Sequence, residues 1–260
     1  MMADLDLILD AAREAGALAL AARAKGVKIW SKDGGSPVTD ADLAVDALLK
    51  ERLRAARPDY GWLSEETVDD PARLSTGRQF VVDPIDGTVA FMKGKPWFAV
   101  SVAVVENGRP IAGVVHAPAL DETYAATAGG GATLNGAPLA PSLSTTLDGA
   151  AMLGDAKMFA HPAWPEPWPA MRVEARNSIA YRICLVAAGA FDAAIALTPK
   201  SEWDLAAADL ICGEAGALLT DHLGRKFAYN RPNPTVPSLV CANRALHPLI
   251  LSRVGHIDLP

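Results

Sequence analysis

The sequence predicts a layered α/β fold with helices between and outside β-sheets. Helical spacing and short β-branched runs alternate at both ends of the chain, while antiparallel strands fill its middle. At 260 residues the chain exceeds one average domain without reaching two, so one large unit, or two halves sharing a core, is expected. Half of the residues are hydrophobic and 21% are charged, the balance of a folded globular protein rather than a disordered one.

Leu5, Ile8, Leu9, Ala12, Ala15 and Ala19 recur at helical spacing, and Lys25-Gly26 stops the helix. A polar, glycine-rich stretch from Ser31 to Pro37 follows. Ala44, Leu48, Leu49 and Leu53 then mark one side of a second helix, with Thr39 or Asp40 as its N-cap and its end before Pro58. Gly61 to Ser64 reads as a short strand ending at Glu65-Glu66, and Phe80 to Val82 as a buried strand stopped by Asp83-Pro84. Phe98–Val105 and Ile111–Val115 form a predicted hairpin. A strand through Tyr124 to Thr127 leads into the triple glycine 129–131, and Asn135-Gly136 marks a tight turn. That triple glycine lacks a following Gly-Lys-Ser/Thr, so it reads as a turn. His161 to Pro169, with four prolines and with Trp164 and Trp168, reads as a surface excursion. The last third predicts a helix from about Ile179 to Gly189, a strand from about Phe191 to Leu197, a helix from about Leu205 to Gly216 and a strand from about Ala217 to Thr220.

Composition narrows the function classes. A net charge of −6 gives a field that does not favour nucleic acid or an anionic membrane, so neither is expected as a partner. Cys184, Cys212 and Cys241 stand among apolar residues and suit buried thiols in a reducing compartment. Asp4, Asp6 and Asp10 precede any basic residue, against a signal-peptide plan. No run of about 20 apolar residues predicts a membrane span. The expectation is a cytoplasmic protein. The five histidines show no metal-ligand spacing, which argues against zinc chemistry.

Acids at strand and helix ends carry the functional signal. In Asp83-Pro84-Ile85-Asp86-Gly87-Thr88, Asp-Pro and Asp-Gly are ordinary turn formers. Two carboxylates on one rigid turn can also converge, and a hard divalent cation relieves their repulsion. Gly87 and Thr88 then offer backbone N–H groups to an anion at the start of a short helix. Glu65-Glu66 reads as solvated acids or as a further carboxylate at a strand end. Trp203-Asp204 opens a helix, with Asp204 as an N-cap or as a third acid.

Taken in order, these motifs resemble the inositol monophosphatase family of magnesium-dependent, lithium-sensitive phosphatases. The resemblance runs from Ser36-Pro37-Val38-Thr39-Asp40-Ala41-Asp42, through Glu65-Glu66 and Asp83 to Thr88, to Trp203-Asp204-Leu205-Ala206-Ala207 and Glu214-Ala215-Gly216. It implies an αβαβα sandwich, usually a homodimer. Residues 1–140 would form an α+β half with most metal ligands, and 141–260 an α/β half supplying Asp204 and the substrate pocket. It also implies two or three magnesium ions on Glu65, Asp83, Asp86, Asp204 and the Ile85 carbonyl. Thr88 with Asp42 would activate the attacking water, Glu65 would help hold that water, and Gly87 and Thr88 would hold phosphate oxygens. Lys32 lies near a position where the family often has a basic residue.

Two departures bear on the substrate. Ala90 precedes Phe91 where the family commonly has Asn. Inositol-specific members usually carry a glutamate on the strand before the Trp-Asp pair, yet no acid lies between Asp192 and Glu202. Losing that contact costs a polyol about 1 to 3 kcal/mol. Leu197 stands on the expected wall, and Ser201-Glu202-Trp203-Asp204 looks more like the family's 3'(2'),5'-bisphosphate nucleotidase branch, which puts Leu197 and Glu202 on the substrate side. The expected activity is hydrolysis of a small phosphate monoester, with a bisphosphate nucleotide ahead of inositol 1-phosphate, histidinol phosphate or a sugar phosphate. Some bacterial members instead serve as regulatory binding proteins in transcription or RNA maturation, a role that the acidic balance disfavours.

Overall fold

The computed structural model describes residues 3–32 and 35–259; Asp33 and Gly34 of the polar stretch lie outside them. In chain order, α1 (Asp4–Lys25) is followed by a hairpin of β1 (Ile29–Ser31) and β2 (Pro37–Thr39), then α2 (Asp40–Ala56) and β3 (Gly61–Ser64). A 3-10 turn at Pro71–Ser75 leads to β4 (Arg78–Asp86) and the short α3 (Thr88–Met92). The meander is β5 (Ala99–Glu106), β6 (Arg109–Ala117), β7 (Glu122–Thr127), β8 (Ala132–Leu134) and β9 (Ala137–Pro138). Beyond it come β10 (Ala151–Leu153), α4 (Ala156–Phe159), β11 (Arg172–Glu174), α5 (Ile179–Ala187), β12 (Ala193–Ala196), β13 (Lys200–Ser201) and α6 (Glu202–Ala215). The chain finishes with β14 (Leu218–Thr220), β15 (Thr235–Val236), β16 (Leu239–Ala242) and α7 (Leu246–Val254).

Side-chain alternation along the strands dictates the layers. Phe80, Val82, Val100, Val102, Val104 and Val114 face one side of a seven-stranded sheet, order β3-β4-β5-β6-β7-β8-β9, and pack on α1 and α2. Their neighbours Val81, Ala99, Ala103 and Val115 face the other side, against α5 and α6. Those two helices also cover Leu153, Ala194, Ala196 and Cys241 of a five-stranded sheet, order β11-β10-β12-β16-β14. Its opposite face, with Met152, Ala193, Ile195 and Val240, buries Leu246, Ile250 and Val254 of α7. The order is therefore helix, sheet, helix, sheet, helix, the expected αβαβα arrangement. Close packing of α6 depends on its alanines and on Gly113, where a Cβ would stand 2.9 Å from the Ala207 carbonyl oxygen.

Several expectations change in detail. Strand β4 does not stop at Asp83-Pro84. It continues to Asp86, with a register shift against β5 between Asp83 and Asp86, because a bulge tolerates the N–H that proline lacks. The buried face of α2 is Ala41, Val45, Leu49 and Leu53, leaving Ala44 exposed and Leu48 half-buried. Of the two cap candidates, Thr39 is the N-cap of α2, accepting from the Ala41 and Asp42 N–H groups. Helix α6 begins at Glu202, with Ser201 as its cap; Asp204 is the third helical residue, not the cap. The triple glycine is a turn tied to α6 by Glu214, whose carboxylate accepts from the Gly129 and Gly131 N–H groups at 2.7 and 2.9 Å. The three cysteines are buried free thiols. Among the described residues no helix is long and apolar enough to cross a membrane.

Candidate active site

The bulge in β4, the start of α5 and the start of α6 bring three acids together. Oxygens from Asp83, Asp86 and Asp204 all lie within 4.8 Å of one another. Backbone donors fix each of them. Asp83 Oδ1 accepts from the Ile85 N–H at 3.1 Å, and Asp204 Oδ2 from the Ser201 N–H at 2.8 Å. Asp86 takes the Ile179 and Ala180 N–H groups, at 3.1 and 2.6 Å, and the Ser178 hydroxyl at 2.6 Å. Those contacts place it at the N-terminus of α5, where its charge suits the helix dipole.

Such crowding is electrostatically costly. Burial, then the charges of Glu65, Asp86 and Asp204, push Asp83 well above the usual carboxylate range. Burial and the neighbouring Asp86 push Asp204 up to about 8. Asp86 rises only to about 6, because burial raises it while the Ser178, Ala180 and Ile179 bonds lower it. Buried like charges held this close by backbone bonds make a nest of hard oxygen donors suited to magnesium or a similar hard cation. The Ile85 carbonyl beside them accepts from the Thr88 hydroxyl at 3.2 Å.

Thr88 faces this nest from the start of α3. Its hydroxyl also lies 3.2 Å from Asp42 Oδ1. The other Asp42 oxygen accepts from the Thr39 N–H at 2.8 Å and the Thr39 hydroxyl at 2.5 Å, closing a capping box on α2. The cap therefore aims the remaining Asp42 oxygen at Thr88. Gly87, between the nest and α3, has a φ of +93°, and a Cβ there would meet the Ser178 nitrogen at 2.9 Å. Only glycine allows both that backbone and the close approach to α5.

Glu65, Asp83, Asp86, Gly87, Thr88, Leu197 and Asp204 line one cavity of about 810 Å³. Glu65 is also paired with the Lys32 ammonium at 2.9 Å, and Lys32 reaches Glu66 at 2.7 Å. Glu202, expected on the substrate side, is placed elsewhere. Its fully buried carboxylate accepts from the Asn230 and Arg231 N–H groups at 2.8 and 3.2 Å, and it does not line the cavity. A glutamate at the first position of a helix satisfied by a neighbouring loop is a structural strap. The excursion holding Trp164 and Trp168 is also absent from the cavity lining. It packs behind α4 instead: the Trp164 indole N–H donates to the Met158 carbonyl at 2.6 Å, and Trp168 meets Phe159 edge-on. Met158 and Asp155 of that segment do line the cavity, so the tryptophans support its wall from outside.

Arg182 and Lys200 also line the cavity, and sequence reasoning missed both. Arg182 lies inside a helix read only for its apolar residues, and Lys200 follows Thr198-Pro199 in a segment read only for its lack of acids. A position four residues after Ser178, one turn along the helix, was the available signal for Arg182.

The sequence signature of the inositol monophosphatase family matches residues 4–258. A histidinol-phosphatase of Mycobacterium tuberculosis is 37% identical over 243 residues, covering 88% of each chain. The 3'(2'),5'-bisphosphate nucleotidase CysQ of Escherichia coli is 32% identical over 232 residues, covering 86% of this chain and 93% of that one. Among solved structures, the IMPase of Thermotoga maritima superposes with a TM-score of 0.85 at 28% identity, over 98% of this chain and 97% of that one. The chain belongs to the inositol monophosphatase family and is a phosphoric monoester hydrolase.

Proposed function

We propose that this member of the inositol monophosphatase family is a magnesium-dependent phosphatase of small phosphate monoesters, with a 3'(2'),5'-bisphosphate nucleotide favoured as substrate. The observation that carries the chemistry is the convergence of Asp83, Asp86 and Asp204 within 4.8 Å beside the Thr88 and Asp42 pair. In this reading Asp83, Asp86, Asp204, Glu65 and the Ile85 carbonyl hold two or three magnesium ions. Bound there, magnesium neutralises the phosphate, acidifies water and stabilises the leaving oxygen.

The protein's own groups do the rest. Asp42, fixed by its capping box, keeps the Thr88 hydroxyl turned toward the nest. Thr88 in turn orients the attacking water, whose oxygen bonds to phosphorus as the ester P–O bond breaks and the alcohol leaves with a proton. The Gly87 and Thr88 N–H groups hold phosphate oxygens. Glu65 helps hold the water once its carboxylate is free of Lys32. Residues 1–140 would thus supply most of the catalytic groups, with 141–260 contributing Asp204 and the pocket wall.

The substrate reading rests on Ile195, Ala196 and Leu197, an apolar wall that suits a nucleoside better than a ring of hydroxyls. Histidinol phosphate is a second reading, supported by the Mycobacterium relative and by Asp155 on the cavity lining, a carboxylate able to receive an ammonium group. A homodimer, cytoplasmic location and lithium inhibition complete the proposal. The three cysteines, all buried, suit a reducing compartment. The test is phosphate release by the magnesium-loaded protein from adenosine 3',5'-bisphosphate, inositol 1-phosphate, fructose 1,6-bisphosphate and histidinol phosphate. Highest kcat/KM for adenosine 3',5'-bisphosphate is expected. Preference for inositol 1-phosphate or histidinol phosphate overturns the substrate reading, and no release from any of the four overturns the phosphatase reading.

A further inference from the structure

We propose that Arg182 and Lys200 form a second anion site in the catalytic cavity, selecting phosphate monoesters that carry a second anionic group. The inference rests on the phosphatase reading and names the substrate class of that same cavity. Arg182 stands on α5 one turn beyond Ser178, the residue whose hydroxyl donates to Asp86. One turn carries it about 6 Å along the helix from the acid nest. Its Nε donates to the Arg176 carbonyl at 2.5 Å, which fixes the guanidinium plane. Among the described residues its terminal nitrogens make no hydrogen bond and no ion pair. Burial lowers its pKa, with Asp86 and Asp155 the acids that oppose the shift. A mostly buried guanidinium without a carboxylate in contact is an unusual expense for a fold, and an arriving anion removes it.

Lys200 faces the same space from the far wall. Its ammonium donates to the Thr198 hydroxyl at 2.8 Å, the Thr198 carbonyl at 3.2 Å and the Pro199 carbonyl at 2.8 Å. All three acceptors are neutral, so its charge is solvated but not cancelled. Burial lowers its pKa first; Asp204 then opposes this while the charge of Arg182 adds to it. The two cations line one cavity with the acids of the nest. Once those acids hold metal, the pair is left to attract a second anion. Leu197, between the two in sequence and on the lining of the same cavity, supplies apolar surface for the body of the substrate. Asp155 is the one opposing acid on that side, and its Oδ1 is engaged by the Lys157 N–H at 2.9 Å. A substrate whose second group is an ammonium would meet two like charges there.

The test compares matched substrates on the magnesium-loaded enzyme. One arm sets adenosine 3',5'-bisphosphate against adenosine 3'-monophosphate; the other sets fructose 1,6-bisphosphate against fructose 1-phosphate. In the unmodified protein kcat/KM is higher for the bisphosphate in at least one arm. The adenosine arm alone indicates a nucleotide, and both arms indicate a second phosphate on any body. Arg182→Met and, independently, Lys200→Met lower that ratio by about tenfold, chiefly through KM, since each removes a charge-assisted contact. Arg182→Lys recovers part of the loss. Equal preference for both members in the unmodified protein, or an equal fall for both in the two variants, overturns the inference. Absence of turnover on every substrate overturns the phosphatase reading instead. Calorimetric binding of adenosine 3',5'-bisphosphate then decides the anion site: weaker binding in the variants supports it, and unchanged binding contradicts it.

Discussion

The acid nest and the wall from Ile195 to Ser201 face the same cavity, yet they are built in different ways. Every acid of the nest is held by backbone donors from a bulge or a helix start, as Asp86 is by Ile179 and Ala180 and Asp204 by Ser201. On the wall, Leu197 is half-buried, and the Lys200 ammonium is tethered only to residues one and two positions away. The nest is therefore rigid and tied into three elements at once, whereas the wall beyond Ile195 and Ala196, from Leu197 to Lys200, lies outside the packed layers and can change its side chains more freely. Under the proposed function, chemistry belongs to the first region and selectivity to the second. Substitutions in the two regions should differ in kind: loss of turnover with any substrate against altered ranking of substrates.

The largest effect is expected from Asp83→Asn. Losing one charge weakens cation binding and several kcal/mol of transition-state stabilisation, so kcat falls on the order of a thousandfold for every substrate. Asparagine also suits a bulge, and circular dichroism should show the fold retained. A kcat within threefold of the parent's would break the division between the regions.

Thr88→Ala should come next, lowering kcat about a hundredfold with little change in KM. In the proposed mechanism the hydroxyl acts on water, while the backbone N–H would still meet phosphate. Steady-state kinetics in which KM rises and kcat stays constant would move Thr88 from the chemical to the binding side.

The nest also predicts a pH dependence of stability. The folded-state pKa values of Asp86 and Asp204, about 6 and about 8, lie above the ordinary aspartate value of 3.8. Groups shifted in this direction stabilise the fold fully below the unfolded pKa and lose that contribution as pH rises through the folded one. In chelator, the melting temperature should therefore fall between pH 5 and pH 9. Added magnesium should raise it more at pH 8 than at pH 5. A chelated protein that grows more stable across that range would remove the repulsion argument.

Smallest is the effect of Leu197→Glu. It should narrow the gap in kcat/KM between adenosine 3',5'-bisphosphate and inositol 1-phosphate by about tenfold, chiefly through KM, by giving hydroxyls a partner and adding a negative charge to the wall. Ala196→Glu and Thr198→Glu serve as register controls. A uniform loss on both substrates would show that the wall is coupled to the nest.

How much was legible follows the same division. The convergence of Asp83, Asp86 and Asp204 was readable from acids at strand and helix ends and from the family resemblance, whereas the bulge that extends β4 and the start of α6 at Glu202 were not. Layering was readable because strands buried on one or both faces keep a period of two, as Phe80 and Val82 do against Val81. Position 202 misled because an acid beside Trp203-Asp204 gives no hint that its carboxylate reaches loop residues 230 and 231. Arg182 and Lys200 went unread because they come to one cavity only in three dimensions, from α5 and from the start of β13. Strands of three or four residues, such as β10 and β16, and a nine-residue helix with Pro248 in its first turn likewise carry too little periodicity to be found alone.

The most direct test is a magnesium titration of phosphate release from adenosine 3',5'-bisphosphate, run in parallel on the unmodified protein and on Asp83→Asn. No release is expected in chelator, with saturable activation of the unmodified protein by magnesium and a variant whose half-saturation moves to higher magnesium while its maximal rate falls. Full turnover in chelator, or identical titration curves for the two proteins, would contradict the magnesium mechanism.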